Sequence, residues 1–355
     1  MIKRRKTRQI TVGDVKIGNG APISVQSMTK TDTRDIVKTV VQIKDLERAG
    51  CEIVRVAVKD ADAAKAIAGI KPKINIPLVA DIHFDYRLAL LAIQSGADKI
   101  RINPGNMTHR NEVEAVAQAA KARHIPIRIG LNSGSVIKQH KKSVADAMVS
   151  SAMEYIRLFE KMKFRDIVVS LKASDVQATV EAYRRIAKKR DYPLHLGVTA
   201  AGLADFGRIK SAVAFGALLL EGIGDTLRVS LTGDPILEVL AAKQILRAAG
   251  LVTGGVEVIS CPTCGRCQVD LVKIVEELSE KMSKVTSHSF ARAGKPQVKI
   301  AVMGCEVNGP GEARDADIGI AAGKNSGMLF KNGKPIKKIA EKDFVKVLLE
   351  EIKKL

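Results

Sequence analysis

Eight short β-rich runs alternate with helical stretches between Ile23 and Gly250, and this predicts a (β/α)8 TIM-type barrel followed by a small α+β domain. Three observations carry that fold class. The runs Ile23–Met28, Ile53–Val58, Leu78–His83, Lys99–Asn103, Ile125–Leu131, Ile167–Lys172, Leu194–Thr199 and Thr226–Leu231 number eight, the count at which a parallel barrel closes. The segments between them carry a helical period: in Asp35–Ala49 the apolar residues are Ile36, Val40, Ile43 and Leu46, and Met153–Met162 and Val176–Ala187 read the same way. Hydrophobic residues make up 46% of the chain while aromatics are 3% with no Trp, so the core is aliphatic, as parallel strands buried on both faces require.

Taken in order, the chain opens with a basic arm and a hairpin over Gln9–Ile17 that turns at Gly13-Asp14. The barrel follows. A boundary falls near Leu251–Gly255, giving a barrel domain of residues 1–250 and a second domain of residues 255–355. The second domain reads as strand Val256–Ser260, a cysteine-bearing turn, a helix over Val269–Lys284 and strand Val298–Met303. A loop holding Cys305, strand Ile318–Ala321, a hairpin around Lys331-Asn-Gly-Lys334 and a terminal helix Glu341–Lys354 complete it.

A barrel places its chemistry at the C-terminal ends of its strands. Polar residues gather there: Arg55, Asp81, His83, Arg101, Asn103, Arg128, Lys172, His195, Thr199, Arg228 and Ser230. Arginine on a buried strand is costly unless it is paired or faces a polar mouth. Arg–carboxylate pairs bracing the barrel would account for single members. The set Arg55, Arg101, Arg128, Lys172 and Arg228 reads as a convergent anion pocket, because guanidinium forks and a lysine charge suit phosphate oxygens. Asn132-Ser-Gly-Ser135 adds hydroxyls and backbone N–H groups at a strand-to-helix turn. Asp81 and His83 are candidate acid–base residues or satisfied structural groups, and His109, His124, His140 and His288 read as surface residues. The net charge of +20 calls for an anionic partner or a lysine-rich solvated surface. Nucleic acid is the weaker partner, since stacking aromatics are scarce.

Four of the five cysteines lie in two late clusters, Cys261-Pro-Thr-Cys264-Gly-Arg-Cys267 and Gly304-Cys305-Glu-Val-Asn308-Gly-Pro-Gly-Glu312. C-x2-C spacing turns two thiolates to one centre, and a thiolate from a distant loop closes the site. Either all four cysteines ligate, as structural zinc or an electron-transfer cluster, or three ligate and a weaker group such as Glu312 leaves an iron open; spacing alone favours Glu312 as a loop carboxylate with no ligand role. Cys51 reads as a core thiol. With no signal peptide and no long apolar run, the expected location is the cytoplasm, with no membrane partner. A radical S-adenosylmethionine barrel is disfavoured because its cysteines follow the first strand at a different spacing. A zinc-stapled basic nucleic-acid-binding protein is the alternative that the charge supports, and a pterin- or phosphometabolite-binding barrel leaves the cysteines unexplained.

Eight segments together resemble the 4-hydroxy-3-methylbut-2-enyl-diphosphate synthase family in its shorter bacterial form. They are Pro22–Thr29, Val79–Arg87, Arg101–Asn106, Ile127–Gly130, Ser170–Asp175, Glu221–Ser230, Cys261–Arg266 and Cys305–Glu312, and the match spans essentially the whole chain. The resemblance implies a [4Fe–4S] cluster held by Cys261, Cys264, Cys305 and Glu312, with Cys267 outside the set. It implies 2-C-methyl-D-erythritol 2,4-cyclodiphosphate as substrate, which the pocket of Arg55, Arg101, Arg128, Lys172 and Arg228 fits, with Asn132 and Asn308 as further substrate-binding candidates. It also implies reduction by flavodoxin or ferredoxin, and a homodimer in which the cluster domain of one chain closes over the barrel mouth of the other. One departure stands out: the family pattern carries a glutamate where this chain has Ala200, within Gly197-Val-Thr-Ala-Ala-Gly202. Glu221 is therefore taken, by position, as the proton donor, with Asp81 and His83 assisting.

Overall fold

The structure is a computed structural model that describes residues 2–103, 106–107, 109–135, 143–252, 255–289 and 298–354. Pro104-Gly105, His140, the side chain of His288 and Thr253-Gly254 at the expected boundary lie outside the described residues. The chain forms two compact units, Met1–Leu251 and Val252–Leu355.

The first unit is the expected barrel. Its strands are β3 (Ser24–Met28), β4 (Ile53–Val58), β5 (Leu78–Ile82), β6 (Lys99–Ile102), β7 (Ile127–Asn132), β8 (Ile167–Lys172), β9 (His195–Gly197) and β10 (Thr226–Arg228), preceded by a hairpin of β1 (Ile10–Val12) and β2 (Val15–Ile17). Every neighbouring barrel pair is parallel, in the order β8-β7-β6-β5-β4-β3-β10-β9. A parallel bridge between Val169 and Leu194 joins the two ends of that series. Helices α1 (Ile36–Ala49), α2 (Ala61–Ile70), α3 (Tyr86–Gln94), α4 (Arg110–Ala122), α5 (Val144–Lys161), α6 (Val176–Lys189), α7 (Ala204–Leu220) and α8 (Pro235–Ala248) surround it.

Six of these helices begin on a side chain that accepts a backbone N–H of the first turn: Asp35, Asp60, Asp85, Ser143, Asp175 and Asp234. Each cap satisfies an otherwise orphaned donor and is worth about 1 kcal/mol. The hairpin closes the N-terminal end of the barrel, where Ile10, Val12 and Ile17 pack on Ile53, Val79 and Val168. The basic arm is held at the same end: Arg5 N–H donates to Gly222 O at 2.9 Å and Arg4 pairs with Asp225 at 3.3 Å. β9 and β10 are each shorter than the runs that announced them, because the chain beyond Gly197 and Arg228 leaves the ladder to line the mouth.

In the second unit a five-stranded sheet runs β11 (Val256–Ser260), β12 (Val298–Met303), β13 (Ile318–Gly323), β14 (Ser326–Lys331) and β15 (Lys334–Ala340), parallel across the first three and antiparallel after them. On one face α9 (Leu271–Ser289) and α11 (Phe344–Ile352) bury Leu271, Leu278, Ile300, Val302, Ile320, Phe344 and Leu348. The hairpin at Asn332-Gly333 turns with positive φ at both residues, 48° and 78°, the backbone that this dipeptide favours. On the other face a short helix, α10 (Gly309–Arg314), seats Ala313 against Ala301, Met303 and Ala321. The glycines and proline of that segment read as a turn, yet Pro310 sits in the helix's first turn, where its missing N–H is harmless. Among the described residues no helix is long and apolar enough to cross a membrane.

Candidate active site

A cavity of about 220 Å³ opens at the C-terminal ends of the barrel strands. It is lined by Met28, Arg55, Asp81, His83, Arg101, Arg128, Gly130, Asn132, Ser170, Lys172, Val198, Thr199, Arg228 and Ser230. Side chains two residues apart on a strand share a face, so the alternation in β7 (Arg128, Gly130, Asn132) and β8 (Ser170, Lys172) turns these residues inward. All five expected cations are therefore present, as are Asn132, Asp81 and His83.

Two carboxylates organise the cations. Asp81 is 3% exposed and takes Arg101 Nη1 at 2.9 Å, Arg55 Nε at 3.6 Å and His83 Nε2 at 3.8 Å. Burial pushes its carboxyl upward, but Arg55, Arg101, His83 and Arg128 outweigh that and hold it below the usual carboxylate range. Glu238, buried in the first turns of α8, takes Arg228 through Nε at 3.1 Å and Nη2 at 3.2 Å, and Ser27 Oγ donates to it at 3.1 Å. Nothing in a linear reading marked Glu238, because a carboxylate near a helix start has an ordinary explanation in the helix dipole. Arg128 and Lys172 have no carboxylate within ion-pair distance among the described residues. Burial, followed by Arg55, Arg128 and Arg228, pushes the Lys172 ammonium well below its ordinary value. Burial likewise lowers Arg55, to about 10, which Asp81 partly opposes.

Two glycines make the packing of these long side chains possible. A Cβ on Gly130 would sit 2.6 Å from Arg101 Nε, and one on Gly197 would sit 2.7 Å from Lys172 Cε. With hydrogen there instead, Arg101 also reaches Gly130 O at 2.8 Å.

Glu221 is not in this site, which corrects the expectation that it donates a proton. It caps the C-terminus of α7 at the opposite end of the barrel, exposed, with Arg184 Nε donating to Oε2 at 3.0 Å. The reason is directional. A residue just before a parallel strand enters at the N-terminal end, whereas the mouth belongs to residues at and after strand ends. Ala200 does stand just beyond the mouth residue Thr199, exposed, with φ of 50°.

In the second unit Cys261 follows β11 and Cys305 follows the neighbouring β12, so parallel pairing of Ser260 with Val302 brings both loops to one sheet edge. Gly304 N–H donates to Cys261 Sγ at 3.3 Å. Gly304 has room for hydrogen only: a Cβ would collide with Cys267 Sγ and lie 3.5 Å from Cys261 Sγ. Cys267 thus stands beside Cys261, and its thiol donates to Val269 O at 3.3 Å. Cys305 is buried, and the backbone N–H groups of Asn308, Val307 and Gly309 draw its thiol below the usual range, which favours the thiolate. Cys264 is exposed on the turn whose Cys267 N–H bonds to Cys264 O at 2.8 Å. Glu312 projects from the first turn of α10, exposed, and Asn308 precedes that helix. Among the described residues no three His, Cys, Asp or Glu side chains already converge as metal ligands. The donor set itself, soft thiols on adjacent loops with one carboxylate on the helix that follows Cys305, fits an iron–sulfur cluster better than a hard-cation site.

The sequence matches the GcpE TIM-barrel domain over residues 7–243 and the GcpE protein C-terminal domain over residues 257–354. A curated relative from Clostridium perfringens is 54% identical over 355 residues, covering 99% of each chain. One from Caldanaerobacter subterraneus subsp. tengcongensis is 55% identical over 360 residues, covering 100% of this chain and 99% of its own. Both carry the name 4-hydroxy-3-methylbut-2-en-1-yl diphosphate synthase (flavodoxin). Among solved structures, a dihydropteroate synthase from Coxiella burnetii aligns with a TM-score of 0.50 at 13% identity, over 69% of this chain and 99% of that one. A likeness at that identity speaks to the barrel fold alone.

Proposed function

The chain belongs to the GcpE family and is an enzyme of the 4-hydroxy-3-methylbut-2-en-1-yl diphosphate synthase type, and from that premise we propose its reaction. The substrate is 2-C-methyl-D-erythritol 2,4-cyclodiphosphate. A ring C–O bond to phosphate breaks and a hydroxyl leaves as water. Two electrons and two protons are consumed, and the product is the allylic diphosphate of isoprenoid biosynthesis. The observation that carries this reading is the uncompensated charge of the barrel mouth. Five cations converge there against two carboxylates, and Arg128 and Lys172 have none within ion-pair distance among the described residues. A diphosphate supplies the missing negative charge.

In this reading Arg128 and Lys172 clamp the diphosphate, Arg55, Arg101 and Arg228 are held ready by Asp81 and Glu238, and Asn132 orients a hydroxyl. Asp81 stays ionised at neutral pH, so it positions cations rather than donating a proton, and His83, 3.8 Å from it at the mouth, is the remaining acid–base candidate. Cys261, Cys264, Cys305 and Glu312 would hold a [4Fe–4S] cluster, which would supply single electrons and a Lewis-acidic iron. Glu312 would be the most exchangeable ligand of such a cluster, since a carboxylate binds iron more labilely than a thiolate, and Asn308 before the same helix would contact substrate. The relatives' names point to flavodoxin as the electron donor, and a net charge of +20 suits an acidic carrier. The expected location is the cytoplasm.

The test is anaerobic turnover of the cyclodiphosphate by protein reconstituted with iron and sulfide, read as formation of the allylic diphosphate. Wild type should be brown and active, and a colourless protein without turnover overturns the reading. Lys172→Met should lower kcat/KM by about 10–100-fold, largely through KM, since a charge-assisted hydrogen bond contributes about 1.5–3 kcal/mol.

The homodimer has a candidate surface on α7 and α8. Phe206, Ile209, Val213 and Leu220 of α7 and Leu240 of α8 are all exposed. An exposed apolar strip of this kind is normally covered. A second copy is the proposed cover, with the active site shared between chains. A Phe206→Glu/Ile209→Glu double variant should run as a monomer in light scattering; an unchanged dimer removes this face from the assignment.

A further inference from the structure

We propose that the barrel encloses a second, deeper anion of halide size, held between the apolar plug and the pocket by Lys99, Arg128 and His195. The interior is layered. At the bottom Ile53, Val79 and Val168 meet the hairpin. At the top lies the pocket, to which Arg128 contributes but Lys99 and His195 do not. Lys99 and Arg128 stand in register with Val79 and Val168, so polar side chains share the level of these apolar ones below the pocket. Lys99 shares the inward face of β6 with Arg101, and His195, Thr226 and Ser24 stand in register on three neighbouring strands.

Donors at this level lack acceptors. Lys99 Nζ, Arg128 Nε and Nη2, His195 Nε2, Gln26 Nε2 and Ser24 Oγ are buried with no hydrogen-bond partner among the described residues. Lys99 and His195 are 0% exposed. Arg128 satisfies only Nη1, which donates to Gln26 Oε1 at 2.6 Å and leaves the Gln26 amide nitrogen as a further free donor. His195 Nδ1 lies 3.4 Å from Thr226 Oγ1; in the tautomer whose Nδ1 accepts a hydrogen bond from that hydroxyl, Nε2 carries the ring N–H.

The deficit is chiefly of acceptors, since every unpartnered atom here but the Ser24 hydroxyl and the tautomer-dependent His195 Nε2 only donates, and that selects the ligand. Native interiors rarely leave buried donors unpaired, and each orphan costs about 1–3 kcal/mol. A buried water accepts about two hydrogen bonds, brings two protons of its own and cancels no charge. An anion accepts from every side, including the Arg128 N–H groups, and offsets Lys99, which has no carboxylate within ion-pair distance among the described residues. The groups do sense one another: burial, then Arg128, push Lys99 well below its ordinary value, and burial, then Arg128 and Lys172, do the same to His195. A resident anion relieves that repulsion. The inference concerns the barrel's interior and stands whether or not the pocket above takes a diphosphate.

Crystals of the full chain soaked in bromide and measured at the bromine edge should show an anomalous peak within hydrogen-bonding reach of Lys99 Nζ and His195 Nε2. Bromide found only at the surface or in the pocket, with water in the interior, overturns the proposal. In solution, Tm in sodium chloride should exceed Tm in sodium gluconate at equal ionic strength by about 2–4 °C. The difference should persist with inorganic pyrophosphate filling the pocket and vanish in Lys99→Met, or in His195→Gln if the former does not fold. Equal Tm values in the two salts, or a difference that pyrophosphate abolishes, also overturn it.

Discussion

Cys305→Ser is expected to yield a colourless protein that has lost its iron and, with it, on the order of 10³-fold or more of reductive turnover. Cys305 is buried at the end of β12, and three backbone N–H groups already bias it toward the thiolate. Serine keeps the shape but, as a hard and weakly acidic hydroxyl, is a poor ligand for iron. Iron content and visible absorption after reconstitution read the loss directly. The melting of the barrel unit should be unchanged, since its core does not draw on this loop. Cys267→Ser, although it alters the thiol next to Cys261, should retain iron and colour. Full iron in Cys305→Ser, or none in Cys267→Ser, would reverse the assignment of these two residues.

The second large effect is expected from Asp81→Asn. Asp81 is the shared partner of Arg55 and Arg101, all three at most 7% exposed. Removing one member of a buried charge network leaves the others desolvated and unpaired, a loss of about 3–5 kcal/mol. In a unit of this size that is a fall in Tm of roughly 6–20 °C, measurable by calorimetry. The acid limb carries a second signature. The folded carboxyl lies below its ordinary value, so its stabilisation is complete above the unfolded value near 4 and is lost as pH falls through the folded one. Asp81→Asn should therefore flatten the acid limb of stability below about pH 4. A variant that melts with wild type across pH 3–8 would show that the arginines find other compensation.

Much of this was legible in the linear sequence. Strand positions came from apolar runs, which parallel strands demand, and the mouth residues came from the rule that barrel chemistry gathers at the C-terminal ends of strands. The cysteine loops announced themselves by composition and spacing. What stayed hidden was relational. Glu238 lies on a helix, seven residues after Leu231 in the chain, and becomes the partner of Arg228 only because α8 packs back over β10. Lys99 looked like the polar start of a strand, although it shares a face with Arg101. Glu221 was placed at the wrong end because adjacency to a strand carries no direction until the strand's sense in the barrel is known. The Gly-Pro-Gly segment after Asn308 read as a turn, yet it forms a helix because Ala313 finds a seat on the sheet.

The sequence by itself thus determined the barrel, the second unit's order of elements, the cationic mouth and the thiol set, because periodicity, spacing and residue type are local properties. Tertiary structure alone decided which charges are paired. Asp81 and Glu238 bind three arginines, while Lys99, Arg128 and Lys172 are left without carboxylates among the described residues. Pairing depends on through-space distance across strands and helices that lie far apart in the chain. In a buried interior that distance separates a bracing ion pair from a site that still needs an anion.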